Sequence, residues 1–155
     1  MKAKAILLGL VVCFMGATVC FAQDGFLGTW KLNEAKSKIG PGASKNSTVV
    51  YEAVGDSVKI TIDGTAGDGK PFHSEWTGKY DGKDYPVTGN PYADDMVSFK
   101  KVDEHTLTST FKKGGKVTAR AKSVLSADGK SRTATGSRTD ANGKKISIVA
   151  VYDKQ

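Results

Sequence analysis

The chain has 155 residues, with 23 Lys and Arg against 16 Asp and Glu, a net charge of +7 and a mean hydropathy of -0.32. That length suits one domain with a single core. Its two cysteines, Cys13 and Cys20, both lie near the N-terminus, so a mature form cut after them has no thiol catalysis, no cysteine-ligated zinc and no disulfide.

Residues 1–22 read as a secretory signal. Lys2 and Lys4 form a positive start, Ala5 to Phe14 is apolar, and Cys20-Phe21-Ala22 sets up cleavage after Ala22. The apolar run is too short for a stable membrane span. A lipoprotein with Cys20 at its new N-terminus is the alternative, and the bulk of Val19 stands against it. The expected product is one domain, 23–155, periplasmic or secreted, monomeric and without a transmembrane span. Losing Lys2 and Lys4 lowers the net charge from +7 to +5. The remaining lysines read as a solvated surface that guards sheet edges, with attraction to anionic envelope polymers as the sharper alternative.

A first strand is predicted at 27–33, with Trp30 and Leu32 on one face. Residues 34–46 form a polar loop with a helical turn at 34–38, and Asn46-Ser47-Thr48 matches the glycosylation sequon. Strands are then predicted at 47–54, 57–63, 70–78, 83–88, 95–101, 105–112, 116–125, 131–138 and 144–152. Val58, Ile60 and Ile62 alternate with Lys59 and Thr61, and Phe72, Ser74 and Trp76 alternate with His73, Glu75 and Thr77. This period of two marks half-buried antiparallel strands. A turn motif recurs between them: Asp68-Gly69-Lys70, Asp81-Gly82-Lys83, Gly114-Gly115-Lys116, Asp128-Gly129-Lys130 and Asn142-Gly143-Lys144. Its glycine supplies the positive φ of a tight hairpin. The pattern predicts an all-β fold, an up-and-down antiparallel meander closing into a barrel of about eight to ten strands.

Lys79 to Asp95 is the most unusual stretch, with Tyr80, Tyr85, Tyr92, Pro86 and Pro91. It reads as a corner of the sheet, or alternatively as a ligand mouth. Asp94-Asp95 reads as a pair of solvated turn residues, and His73 and His105 as partly exposed strand or turn residues rather than metal ligands. No catalytic motif is present, so no catalytic residue, metal or cofactor is assigned. Nucleic acid is disfavoured as a partner, because no aromatic platform is interleaved with arginine.

Gly28-Thr29-Trp30-Lys31-Leu32 resembles the opening strand of the calycins, the lipocalins and fatty-acid-binding proteins, and Val151-Tyr152-Asp153-Lys154 resembles the closing strand of the latter. The segments GTWKLN and YDGKDYP are similar to those of exported bacterial lipocalin-like proteins. The resemblance implies a barrel with Trp30 at one end, covered by Arg120, Arg132 or Arg138. Two departures stand out. Residues 34–46 are too few for a two-helix lid, and Ala150 stands where fatty-acid-binding proteins carry the arginine that grips a carboxylate with Tyr152. The expected function is therefore non-enzymatic binding of a small hydrophobic or neutral amphipathic molecule inside the barrel. Tyr51, Phe72, Trp76, Arg120 and Tyr152 are the candidate ligand-binding residues. Small residues at Ala119, Ala121, Ala134, Gly136 and Ala150 favour a cavity, for which an interior void of ~300 Å³ is the threshold expected of a binder. The alternative is a filled barrel that acts through its surface in the cell envelope.

Overall fold

The computed structural model describes residues 24–139, 143 and 145–155. The signal-like segment, both cysteines, and Asn142 and Lys144 of the last turn motif lie outside the described residues. The strands are β1 (Gly28–Leu32), β2 (Lys38–Ile39), β3 (Lys45–Val54), β4 (Ser57–Thr65), β5 (Pro71–Gly78), β6 (Asp81–Thr88), β7 (Met96–Asp103), β8 (Thr106–Lys113), β9 (Lys116–Leu125), β10 (Ser131–Thr139) and β11 (Lys145–Lys154). Among the described residues no helix is long and apolar enough to cross a membrane.

The strands pair antiparallel in chain order from β3 to β11, β1 joins β3, and β1 also meets β11 from Trp30↔Lys154 to Leu32↔Tyr152. Ten strands therefore close a ring, the expected all-β up-and-down meander. The predicted helical turn is a 3-10 turn, Glu34–Lys36, capped by Asn33, whose side chain accepts from the Lys36 N–H. Beyond it the chain resumes pairing with β11 as the extra strand β2, through Ile148↔Ile39 and Val149↔Lys38. A two-residue strand carries too few alternating positions to be read from sequence.

The turn glycines take positive φ, for example +85° at Gly69 and +67° at Gly129. Asp68 and Asp128 each accept a hydrogen bond from the N–H two residues on, at 3.1 and 3.0 Å. Asp81-Gly82-Lys83 is not a hairpin turn. It lies inside β6, where pairing with β7 skips from Asp81↔Lys100 to Asp84↔Ser98. Gly82, at φ +79°, is the glycine of a bulge, and the chain reverses just before it at Lys79-Tyr80.

The shortest ladder of the ring joins β5 and β6. β5 and β6 pair only at Glu75↔Thr88 and Trp76↔Val87. Pro86 has no N–H with which to continue the ladder towards Thr77. The Tyr85 and Trp76 rings lie over Gly78 instead, where a Cβ would come 2.6 and 2.7 Å from them.

Two aromatic clusters fill the core. One closes the end of the barrel where the chain enters: Phe26 and Trp30 are fully buried, and Trp30 Nε1 donates to the Phe26 carbonyl at 2.8 Å. The Lys154 ammonium lies 5.1 Å from the Trp30 ring centre and donates to the Gly25 carbonyl. The other gathers on the β5–β7 side, where Trp76 meets Phe99 at 4.6 Å and Tyr85 at 5.8 Å between ring centres and stacks on Tyr80.

Trp30→Ala removes the largest fully buried side chain and is expected to cost ~3–5 kcal/mol. Urea denaturation followed by circular dichroism measures this. An unchanged midpoint contradicts the role given to the ring.

Candidate functional site

The tapering set of inward residues leaves a cavity of about 170 Å³. Its volume comes from the β9–β10 wall, where Ala119, Ala121, Ala134 and Gly136 are inward. Bulkier Ile60, Ile62, Phe72, Phe99, Phe111 and Ile148 line the remaining walls. Asn46 of the sequon also lines the cavity.

The floor is built around Arg132. Alternation along β10 sends Arg132, Ala134, Gly136 and Arg138 inward, and Arg132 sits directly across from Tyr152 on β11. Its guanidinium is 4.3 Å from the Tyr152 ring centre, 5.3 Å from that of Tyr51 and 5.7 Å from that of Trp30. Nη1 donates to the Tyr51 hydroxyl at 2.9 Å and to Ser123 Oγ at 3.2 Å. Arg132 is only 4 % exposed, its Nε is buried without a partner, and no carboxylate among the described residues pairs with it. Arg132 is thus the arginine that covers Trp30. Burial pushes the Tyr152 phenol up to about 12, so it remains an O–H donor throughout the physiological range.

The mouth is closed in part by the loop between β6 and β7. Tyr92 from this loop lies under Arg138, whose Cζ is 3.5 Å from the ring centre, and the Ser44 N–H donates to the Tyr92 hydroxyl at 2.8 Å. Arg138 Nη2 donates to both Asp94 oxygens, at 3.2 and 3.0 Å, and Thr118 Oγ1 donates to Asp94 Oδ1 at 2.6 Å. The next-door Ala93 has φ +56°, a conformation L-residues rarely adopt. Lys79 to Asp95 therefore serves as both corner and mouth: Tyr80 and Tyr85 pack in the core, and Tyr92 sits at the opening.

Of the residues singled out from sequence, Tyr51, Phe72 and Tyr152 converge on the cavity. Trp76 does not line it. Trp76 is inward by alternation, but its ring is packed among Phe99, Tyr80 and Tyr85 and its Nε1 donates to the Val97 carbonyl at 3.0 Å. Arg120 borders the cavity yet is exposed, because alternation along β9 turns it away from the face of Ala119 and Ala121. Arg132 holds the interior position instead. Asp94 is a correction too: it is buried and paired, whereas Asp95 is exposed and accepts from the Gly114 N–H. A polar loop flanked by Asn and Pro carries no hint of an inward carboxylate. The signal for Arg138, by contrast, was its shared parity with Ala134 and Gly136. His73 is exposed, with Nδ1 2.6 Å from Asp63 Oδ1, and this partner raises its pKa above the ordinary histidine value.

The buried Arg138–Asp94 pair leaves an uncompensated charge when one partner is removed. Arg138→Met and Asp94→Asn are each expected to cost ~3–5 kcal/mol, and the double variant less than their sum. Urea denaturation of all four proteins measures the coupling, and strict additivity contradicts it.

No protein-family model matches the chain, and no curated protein matches it. Among solved structures, it is similar to EF1p2_mFAP2b bound to DFHBI, at 13% identity and a TM-score of 0.47 over 84% of this chain and 94% of that one. It is also similar to a de novo designed fluorescence-activating β-barrel, at 13% identity and a TM-score of 0.45 over 86% and 97% of the two chains. A third is lobster apocrustacyanin A1, at 14% identity and a TM-score of 0.43 over 86% of this chain and 62% of that one.

Proposed function

We propose that the protein binds, without chemical change, a small molecule of about one ring that carries an anionic group, and that it does so after export directed by residues 1–22. The observation that carries this reading is Arg132, a buried guanidinium facing the cavity without a carboxylate partner among the described residues. Cation–π contact and two hydroxyls offset part of its desolvation, but an unpaired buried charge still favours an anion. This reading departs from the neutral ligand expected from Ala150, because Arg132 offers a cation from the neighbouring strand beside Tyr152. Arg132 and Tyr152 donate to the anionic group, and the Ile and Phe walls cover the apolar body.

Size sets the class. About 170 Å³ falls short of the ~300 Å³ expected of a drug-sized pocket. It matches the ~150 Å³ of an engineered protein cavity that takes up benzene. A benzoate-sized occupant fits, and a long-chain lipid does not. Binding is favoured over catalysis because Asp94, the one carboxylate lining the cavity among the described residues, is already engaged by Arg138 and Thr118. The same small volume supports a second reading, a nearly filled barrel that acts only through its surface.

Calorimetric titration with benzoate, phenylacetate, benzyl alcohol and benzamide separates the two. Saturable binding of the carboxylates, at least about tenfold tighter than the neutral molecules, is expected. Arg132→Met is expected to weaken carboxylate binding ~30-fold or more and to abolish the preference over neutral molecules, and Tyr152→Phe to weaken it less. No saturable binding by any of the four leaves the surface reading.

A further inference from the structure

The outside of the barrel is charged unevenly. On the β4–β6 side several cations are paired, Lys59 with Glu75 at 2.5 Å and Lys79 with Asp56, and at the edge of β8 Lys112 pairs with Asp84 of β6 at 2.6 Å. The other wall differs. β8, β9 and β10 contain no Asp or Glu at all. Alternation sends Arg132 and Arg138 inward there and leaves Arg120 and Lys122 exposed on the outer face.

Register then arranges this face in rows. One row runs Thr108–Lys122–Thr135–Val149–Lys38 from β8 to β2, and the next runs Thr110–Arg120–Ser137–Ser147. With strands ~4.8 Å apart and ~6.8 Å between alternate residues, Arg120 and Lys122 are roughly 7 Å apart and Lys38 lies roughly 14 Å from Lys122. Lys38, Arg120 and Lys122 have no carboxylate partner among the described residues. The positions between them are hydroxyl-bearing, apart from Val149.

We propose that this outer face of β8–β11 and β2 is a docking surface for a linear anionic polysaccharide. Unpaired cations gathered on one acid-free face attract a polyanion. The intervening Thr and Ser hydroxyls both donate and accept, which suits sugar hydroxyls as well as carboxylates. Nucleic acid is the poorer fit, because neither row carries an aromatic side chain for base stacking. A lipid surface is poorer too, because Val149 is the single apolar side chain in the two rows and makes no insertable face. The surface lies outside the wall whose inner side lines the cavity, so it stands or falls independently of ligand binding within.

The test is binding to sodium polygalacturonate at low salt, by light scattering and affinity electrophoresis, with neutral dextran, a single-stranded DNA oligonucleotide and phosphatidylglycerol vesicles alongside. Lys38→Glu/Lys122→Glu is expected to weaken polygalacturonate binding about tenfold or more, and added salt to weaken that of the parent. A control with the same change in net charge, Lys70→Glu/Lys83→Glu at exposed positions beside β5 and on β6, is expected to change it less than about twofold. Lys38→Gln/Lys122→Gln gives the same reading with less electrostatic perturbation. Equal losses in both pairs, absence of polygalacturonate binding by the parent, or binding confined to DNA or vesicles overturns the proposal.

Discussion

The barrel is organised around one buried charge. Arg132 reaches the interior from β10 and meets rings from β1, β3 and β11 and a hydroxyl from β9. These elements are far apart in the chain: Tyr51 and Arg132 are separated by 81 positions. They come together only when β1 pairs with β11, so the guanidinium is correctly solvated by protein only in the closed ring. An open meander would expose Trp30 and strand edges together. Closure, burial of the tryptophan and accommodation of the arginine are therefore one event, which ties a local sequence feature, Gly-x-Trp, to the global topology.

The interior is divided by side-chain volume. Trp76, Tyr80, Tyr85 and Phe99 crowd the β5–β7 side, and the alanines and glycine of β9 and β10 leave the opposite side open. Between floor and mouth, each of the two inward arginines lies against tyrosine, yet only the upper one has a carboxylate partner among the described residues. The lower guanidinium is thus the uncompensated charge of the interior, and the upper one is engaged in holding the loop that carries Tyr92.

Much of this was legible in the residues. Alternation in β4, β5 and β8 gave the inward faces, and the strand positions follow from turn spacing. What alternation does not convey is depth along a strand. Trp76 has the right parity for the cavity, but later aromatic residues, Tyr80, Tyr85 and Phe99, occupy the space around it. The choice among arginines was decidable from parity alone: if Ala119 and Ala121 face in, Arg120 faces out, and if Ala134 and Gly136 face in, so do Arg132 and Arg138. The burial of Asp94 was not decidable, because loops have no period. The glycine of Asp81-Gly82-Lys83 shows a related limit, since a bulge and a hairpin turn demand the same positive φ and so the same residue.

The short seam between β5 and β6 bears on capacity. A ring laddered along all its joints has a fixed girth, because widening it breaks many hydrogen bonds at once. Here one joint is held by two paired positions, and Pro86 prevents the ladder from lengthening. The ring is then least constrained at this joint, and Phe72, on the strand that borders it, also lines the cavity. An occupant larger than the resting space would load this shortest ladder first, so the weakest joint of the ring bears on how much the barrel can hold.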